Sequence, residues 1–323
     1  MLLLGGQQAV VIDGGARGSR TLLQALDRFR VSRIVRLIVS HNHADHAGGT
    51  ASLLSQYPGK IDQIWLLQDT NLLKSALFER ITQQLADGIL SKRQLHRLER
   101  DQQPKLVYAD PEMSLRLLLY SPRFAENLQA QKAATPNATS AILSLDVGNR
   151  RVLFAADSEI SQWRQIRNAR NKPLDCDIVA VPHHAGGLQS STDEEIGWLF
   201  SQAIRSRFAV VSVGTSNTHG HPRENVIRAI TASGTTVLCT QITQKCHSNL
   251  EALRPGVLLP NVIGRSSPTR DVTASGNSRN LACAGTIVAD VTAESVEIQR
   301  IESHQRAVDQ LATEATGCPL CRS

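Results

Sequence analysis

Short apolar runs alternate with amphipathic stretches along most of this chain. Residues 9–12 read as a buried strand stopped by Asp13-Gly14-Gly15, and Leu22, Leu23, Leu26 and Phe29 share one face of a helix predicted over 19–30. A second strand is predicted over 33–39 and another over 61–67. From 70 to 103 the apolar residues Leu72, Leu73, Leu77, Ile81, Leu85 and Ile89 recur at helical spacing, so this stretch is predicted helical. Strands return around Leu106, Leu115, Ile142 and Val152. Beyond them strand and helix alternate: a strand ending at Asp157, a helix over 159–170, and a buried strand over 176–181 running into Pro182-His183-His184. A strand over 209–213, a loop ending Gly220-His221-Pro222, a helix to about Thr231 and a strand over 235–240 follow. The Ser-, Thr-, Arg-, Gly- and Pro-rich stretch 255–280 predicts a long surface loop, 282–299 a hairpin and 303–311 a short helix. No repeat or linker stands out. The expectation is one α/β domain over 1–254 with a helical insertion at about 70–105, and a C-terminal loop, hairpin and tail over 255–323 packed on it.

Composition narrows the class. A chain of 323 residues, 41% hydrophobic and 20% charged, can bury a real core, which excludes a disordered chain, a coiled coil and a disulfide-stapled miniature domain. No apolar run approaches the roughly 20 residues needed to span a bilayer, and the apolar start at 1–4 is too short for a signal peptide, so a cytoplasmic protein without membrane contact is expected. A net charge of +6 is compatible with nucleic acid without demanding it. The informative count is ten histidines, because seven of them fall in three short clusters.

Those clusters sit at predicted strand ends. His41-x-His43-x-Asp45-His46 places three imidazoles and a carboxylate within six residues, which is donor chemistry for Zn²⁺ or Mn²⁺, one or two ions per site. His41 and His43 would serve one ion, Asp45 and His46 another. Asp157 reads either as a further ligand or as the N-cap of the helix after it. At least one of His183 and His184 must point inward from its strand end. Gly220-His221-Pro222 is a structural turn, or it brings His221 to a scissile phosphate or leaving oxygen.

His41-Asn42-His43-Ala44-Asp45-His46-Ala47-Gly48-Gly49 resembles the signature of the metallo-β-lactamase fold hydrolases, and Val11-Ile12-Asp13-Gly14-Gly15 resembles the strand and turn before it. The resemblance covers about 3–240. It implies a four-layer αββα sandwich, with Asp13 supporting the site from behind and Asp157 bridging metals. Asn137-Ala138-Thr139-Ser140 has no His where other members supply a third ligand. With Val181-Pro182-His183-His184-Ala185-Gly186 and the 213–222 segment, this set is similar to the hydrolase domain of ComEC-type competence proteins. That resemblance implies a free-standing, metal-dependent nuclease. Its metal ligands would be His41, His43, Asp45, His46, Asp157, His183 and His184, and its catalytic residues Asp45 and His221. Asn137, Ser140, Ser190, Ser191 and His219 would hold substrate. ComEC-type domains usually have a strand and a Gly-Asp turn before the segment that residues 1–4 resemble, so a native start upstream of Met1 is expected.

The implied chemistry is attack of hydroxide on a DNA or RNA phosphodiester, a metal pair lowering the pKa of water towards about 7. Rival readings are a small-molecule hydrolase acting on a lactam, thioester or cyclic nucleotide, and a non-catalytic metal-binding subunit serving a partner such as an ATPase in DNA processing or defence. Phosphate-backbone contacts are expected from Lys92, Arg93, Arg97 and Arg100 and from Arg164 and Arg167, although acidic residues interleave with the first group. Oligomeric state stays open. Cys176 reads as core packing. Cys318-x-x-Cys321 has zinc-ligand spacing and could join Cys246 and Cys283 in a structural site, with reduced thiols as the plainer alternative.

Overall fold

The computed structural model of the chain describes residues 1–18, 20–67, 69–133, 136–188, 191–215, 217–248, 250, 283–299, 301–313 and 319–322. The loop predicted over 255–280 lies outside them. Two compact units are formed, one of Met1–Tyr108 with Leu119–Ile142, the other of Ala109–Leu118 with Leu143–Ser323.

The first unit is built on a five-stranded sheet in the order β1-β2-β3-β4-β5. Its strands are β1 (Leu2–Leu4), β2 (Gln8–Ile12), β3 (Arg33–Val39), β4 (Ile64–Leu66) and β5 (Leu95–Arg97). β1 runs antiparallel to β2, and the rest are parallel. Ile34, Leu37, Ile38 and Val39 of β3 are wholly buried, as the continuous apolar run of an interior parallel strand requires. Helices α1 (Thr21–Arg28), α2 (Ala44–Ala47), α3 (Thr50–Gln56), α4 (Thr70–Leu73) and α5 (Ala76–Ala86) follow in chain order. Leu26, Leu53, Leu54, Leu77 and Ile81 from these helices join Ile34, Leu37 and Val39 in one core.

The predicted helical insertion is shorter than its periodicity suggests. α5 stops at Ala86, Gly88 takes a left-handed φ of +70°, and the chain then pairs β5 with β4. Strand pairing with a buried neighbour outweighs the local helical pattern after that glycine.

The second sheet has seven strands in the order β12-β11-β10-β9-β8-β7-β6. They are β6 (Lys105–Asp110), β7 (Leu115–Ser121), β8 (Ile142–Val147), β9 (Arg150–Phe154), β10 (Leu174–Ala180), β11 (Ile204–Val211) and β12 (Thr236–Cys239). β8 and β9 form an antiparallel hairpin, whereas β9 through β12 are parallel. The helices are α6 (Phe124–Ala133), α7 (Ile160–Arg170), α8 (Asp193–Trp198) and α9 (Glu224–Ala232). Trp163 of α7 is fully buried and donates its indole N–H to Ser158 Oγ at 2.9 Å. The predicted C-terminal hairpin and helix are β13 (Ala289–Val291) with β14 (Val296–Ile298), and α10 (Ile301–Thr313). The class is mixed α/β, as expected.

In both parallel sets the carboxyl ends of neighbouring strands lie along one sheet edge, where α/β proteins place their sites. In the first unit two loops close that edge by touching backbone to backbone. Gly14 N–H donates to the His46 carbonyl and Gly49 N–H to the Gly15 carbonyl. A Cβ on Gly49 would lie 2.2 Å from the Gly14 carbonyl oxygen, so no side chain fits. Gly49→Ala is therefore expected to destabilise the protein by about 1–3 kcal/mol. Gly197→Ala, inside α8 with nothing within 4 Å of the added carbon, should instead stabilise by about 0.5–1 kcal/mol. Urea denaturation of the two variants beside the wild type measures both.

Candidate functional site

Two clusters of ligand-type side chains stand at these strand ends, one in each unit. In the first, Asp13 ends β2 at φ +61 with its N–H on the Ile38 carbonyl of β3. Its Oδ1 accepts the Ser40 N–H at 2.7 Å, and its Oδ2 accepts the Ser40 hydroxyl and the His46 ring Nδ1, each at 2.7 Å. An ionised carboxylate only accepts, so His46 carries its proton on Nδ1 and turns a lone pair out on Nε2. That atom lies 3.8 Å from Asp45 Oδ2. Because the Ser40 hydroxyl is donated to Asp13, it receives the His41 Nδ1–H at 3.2 Å. The His41 ring centroid lies 4.7 Å from that of His43 and 4.2 Å from that of His46. Burial alone would raise the Asp13 carboxyl, but His46, the Ser40 N–H and His41 outweigh it and hold it below the ordinary range.

The second cluster is made by an unusual turn. His183, His184 and Ala185 follow β10 with φ of 49°, 54° and 55°. Left-handed backbone costs each non-glycine residue about 1–2 kcal/mol, so the surroundings must impose it. They do so through His183 N–H on the Ala156 carbonyl, Gly186 N–H on the His183 carbonyl and Arg223 N–H on the Ala185 carbonyl. The turn sends both imidazoles to Asp157, which is 3% exposed: His183 Nε2 is 3.8 Å from Oδ2 and His184 Nε2 is 3.6 Å from Oδ1. His184 Nδ1 lies 2.8 Å from the Ser212 carbonyl, an acceptor, so Nδ1 holds the proton and the Nε2 lone pair faces the carboxylate.

The same construction thus occurs in both units: a histidine fixed through Nδ1, its Nε2 lone pair opposite a carboxylate oxygen across a gap too wide for a hydrogen bond. Two acceptors face each other stably only with a cation between them. With metal–ligand bonds of about 2 Å, two ligands of one ion lie roughly 3–4 Å apart, which is this spacing. The donor sets therefore fit a divalent metal, with Asp13, Ser40 and Ser212 as the outer partners that fix ring orientation.

His221 enters the second cluster because Gly186 has no side chain; a Cβ there would lie 2.3 Å from the ring. The ring centroid is 5.6 Å from that of His183, 6.4 Å from His184 and 5.7 Å from His219, which is exposed. Burial first, then the neighbouring His183, His184, His219 and Arg223, push the His221 ring down to about 4, so it is neutral at pH 7. Asn217 fixes the segment: Oδ1 accepts the His221 N–H, and Nδ2 donates to the Gly214 and His221 carbonyls, all at 2.9 Å. Ser40, Ser212, Asn217 and Gly186 were not legible as site residues. Only the Asn four positions before His221 offered a local signal, the side-chain-to-backbone turn such residues favour.

The residues expected to contact substrate differ in exposure and in hydrogen bonding. Ser140 is wholly buried, so its hydroxyl does not face solvent. Asn137, half-buried, opens the turn that the Ala141 N–H anchors on the Ser40 carbonyl, and its Oδ1 is buried without a hydrogen-bond partner among the described residues. The Ser191 hydroxyl donates to the Leu188 carbonyl and closes a turn. Ser190 and Cys318 lie outside the described residues. Arg100 is 7% exposed, and its guanidinium donates to the Tyr120, Asp101 and Gln102 carbonyls. Arg97 pairs with Glu99 at 2.9 Å, Arg164 pairs with Glu195 at 2.8 Å, and Arg167 donates to the Gln202 carbonyl. Lys92 and Arg93 are exposed. Among the described residues no helix is long and apolar enough to cross a membrane.

The profile of the metallo-beta-lactamase superfamily matches residues 1–62, which bears out the resemblance read from the two N-terminal motifs. The chain is 22% identical over 223 residues to ComE operon protein 3 of Bacillus subtilis, covering 69% of this chain and 25% of that protein. It thus spans about a quarter of that relative's length. Among solved structures, similarity is found to the metallo-beta-lactamase fold protein YhfI of Bacillus subtilis, at 15% identity and a TM-score of 0.43, covering 73% of this chain and 86% of the other. The short form of human tRNase Z is similar at 13% identity and a TM-score of 0.39, with 75% and 85% covered.

Asp13→Asn keeps the shape of the side chain and the left-handed backbone that Asn tolerates. It leaves too few acceptors for Ser40 and His46. We expect about 1–3 kcal/mol of lost stability at pH 7 and a 10–100-fold weaker metal affinity, read by thermal melts and metal titration. Because the folded carboxyl titrates below its unfolded value, its contribution is complete at neutral pH and fades as pH falls through the folded pKa. The gap between variant and wild type must narrow in acid.

Proposed function

We propose that this chain, which has the metallo-β-lactamase fold, is a metal-dependent phosphodiesterase that cleaves nucleic acid. The observation that carries the reading is the repeated arrangement in which an imidazole, tied through Nδ1, turns its Nε2 lone pair on a carboxylate oxygen. The proposed ligands are His41, His43, Asp45 and His46 from one cluster and Asp157, His183 and His184 from the other. Imidazole and carboxylate together suit Zn²⁺ or Mn²⁺. Divalent ions bound there lower the pKa of water towards about 7 and neutralise charge developing on a phosphoryl oxygen.

The chain's own groups supply the rest. Asp45, at the start of α2 with its side chain 54% exposed, is a carboxylate able to take a proton from an attacking water. His221, neutral at pH 7, offers an N–H to a phosphate oxygen instead of the positive charge of an imidazolium. Asn137 stands where a third histidine would add a ligand, leaving an amide to contact substrate. The similarity of the 137–143, 181–186 and 213–222 segments to ComEC-type hydrolase domains favours a nucleic-acid phosphodiester over a lactam, and Lys92 and Arg93 are exposed cations for its backbone.

The test is digestion of end-labelled single- and double-stranded DNA and RNA by the purified chain with Mn²⁺, Mg²⁺ or Zn²⁺. Cleavage is expected with at least one ion, falling by about a hundredfold or more in His43→Ala and Asp45→Asn, the usual size of losing a metal-site or general-base group. Absence of cleavage with every ion, accompanied by turnover of a lactam, thioester or cyclic nucleotide, overturns the phosphodiesterase reading. Absence of any turnover by a metal-loaded chain overturns the enzymatic one.

A further inference from the structure

Between α3 and α5 of the first unit runs a polar cleft of about 390 Å³. Two helical stripes form its walls. Gly48, Ala51, Ser52 and Ser55 line one side and Ala76, Glu79, Arg80 and Gln83 the other, each set at the i, i+3, i+4, i+7 spacing of a single helix face. The first wall carries only small side chains, so space remains between the helices. Both walls are fixed from behind. Leu53, Leu54, Leu77 and Ile81 pack into the common core, and Gln84 Nε2 donates to the Leu54 carbonyl at 2.8 Å. Arg17, in the turn after β2, completes the lining. Its backbone comes this close because Gly48 has no side chain; a Cβ there would lie 2.7 Å from the Arg17 nitrogen.

The lining is rich in uncommitted donors. Arg17, Arg80 and Ser52 are exposed, and among the described residues none of their side chains has a hydrogen bond or an ion pair. This sets the two arginines apart from Arg97 and Arg164, which face glutamates. The Ser55 hydroxyl is donated to the Ala51 carbonyl, and Gln83 Nε2 gives one proton to Asp87 Oδ1 at 2.8 Å and keeps its second. Two guanidinium groups stand against one carboxylate, that of Glu79, so the cleft is net positive. A guanidinium is weakly hydrated and its planar fork matches a pair of phosphate oxygens. Length favours a chain of phosphates over a lone anion. From Gly48 to Ser55 a helical rise of 1.5 Å per residue gives roughly 10 Å, about three nucleotide steps at 3.4 Å each. Gly48 also lies one helical turn after Asp45, so a strand held at the first histidine cluster has the cleft beside it.

We propose that the cleft between α3 and α5 binds the phosphate backbone of a nucleic-acid strand, Arg17 and Arg80 each pairing with a phosphate and Ser52 donating to an oxygen. The identity of the strand rests on the phosphodiesterase reading; the cleft adds where that strand lies beside the scissile bond. Contacts of this kind fix register and orientation and carry no sequence information. Glu79 opposes the same phosphates and limits how tightly they are held.

The salt dependence of binding tests this without activity as a readout. The parent is the Asp45→Asn chain with Mn²⁺, in which cleavage is suppressed, and fluorescence anisotropy follows a labelled single-stranded DNA oligonucleotide over a series of KCl concentrations. The slope of log affinity against log salt should be shallower by about 1.4 when Arg17→Ala and Arg80→Ala are added, about 0.7 for each lost phosphate contact. Glu79→Gln should bind more tightly than the parent. Arg228→Ala, which removes an exposed arginine of α9 paired with Glu224 at 2.7 Å, should keep the parent slope. A parent that does not bind the strand, an unchanged slope in the Arg17→Ala, Arg80→Ala chain, a slope lowered equally by Arg228→Ala, weaker binding by Glu79→Gln, or displacement of the strand by equimolar inorganic phosphate overturns the proposal. The two readings fail separately. Cleavage by the wild type with an unchanged slope removes the cleft alone, whereas a lowered slope with a wild type that cleaves nothing removes the phosphodiesterase reading alone.

Discussion

A single half-buried carboxylate, that of Asp13, holds the first cluster in register. Asp13 satisfies the Ser40 N–H, the Ser40 hydroxyl and the His46 ring at once. A charge so placed is tolerable only when fully hydrogen-bonded, and here its partners are the means of control. They pin the end of β3 to the end of β2, set the proton of His46 on Nδ1 and, through Ser40, that of His41. The left-handed φ of Asp13 and the side-chain-free contact between Gly14 and Gly49 are the backbone conditions for that grip. Gly14 and Gly49 are thus structural members of the motif as much as its histidines.

The second cluster reaches the same end by another route. Behind His184 a main-chain carbonyl, that of Ser212, takes the Nδ1 proton in place of the carboxylate that serves His46. The cost falls on the backbone, where three successive residues without glycine's freedom are held left-handed by hydrogen bonds to Ala156, Ala185 and within the turn. Strain of this kind persists where the surrounding structure over-determines it and commonly marks a site. Relaxing the turn would separate His183 and His184 and leave only one ring on Asp157.

What could be read from the residues divides along the same physical line. The strand 33–39, the helix ending at Arg170 and the His41–His46 motif were legible because apolar period and ligand spacing are local properties. The extent of α5 was not, since pairing of β5 with β4 is decided by residues thirty positions apart. Nor was the orientation of both His183 and His184 to Asp157: a strand end suggests one inward side chain, and only the left-handed turn turns both. The burial of Ser140 and Arg100, and the main-chain carbonyls to which Ser191 and Arg100 donate, are likewise set by distant parts of the chain or by turn geometry and not by residue type.

That last point bears on how a phosphodiester would be held. A net charge of +6 suggests a basic track, yet most of the cations singled out on sequence are committed elsewhere. Arg97 and Arg164 each face a glutamate, Arg167 a carbonyl, and Arg100 is buried. Exposed ion pairs of this sort are worth little in themselves, but the neighbouring carboxylate weakens the field that Arg97 or Arg164 presents to an approaching anion. Lys92 and Arg93 are too few to track a long backbone. Under the proposed function, attraction for phosphate would come chiefly from divalent ions bound at the histidine–carboxylate clusters, where charge would be concentrated and poorly screened. Binding and chemistry would then share one source, and a substrate lacking an anionic oxygen would forfeit both.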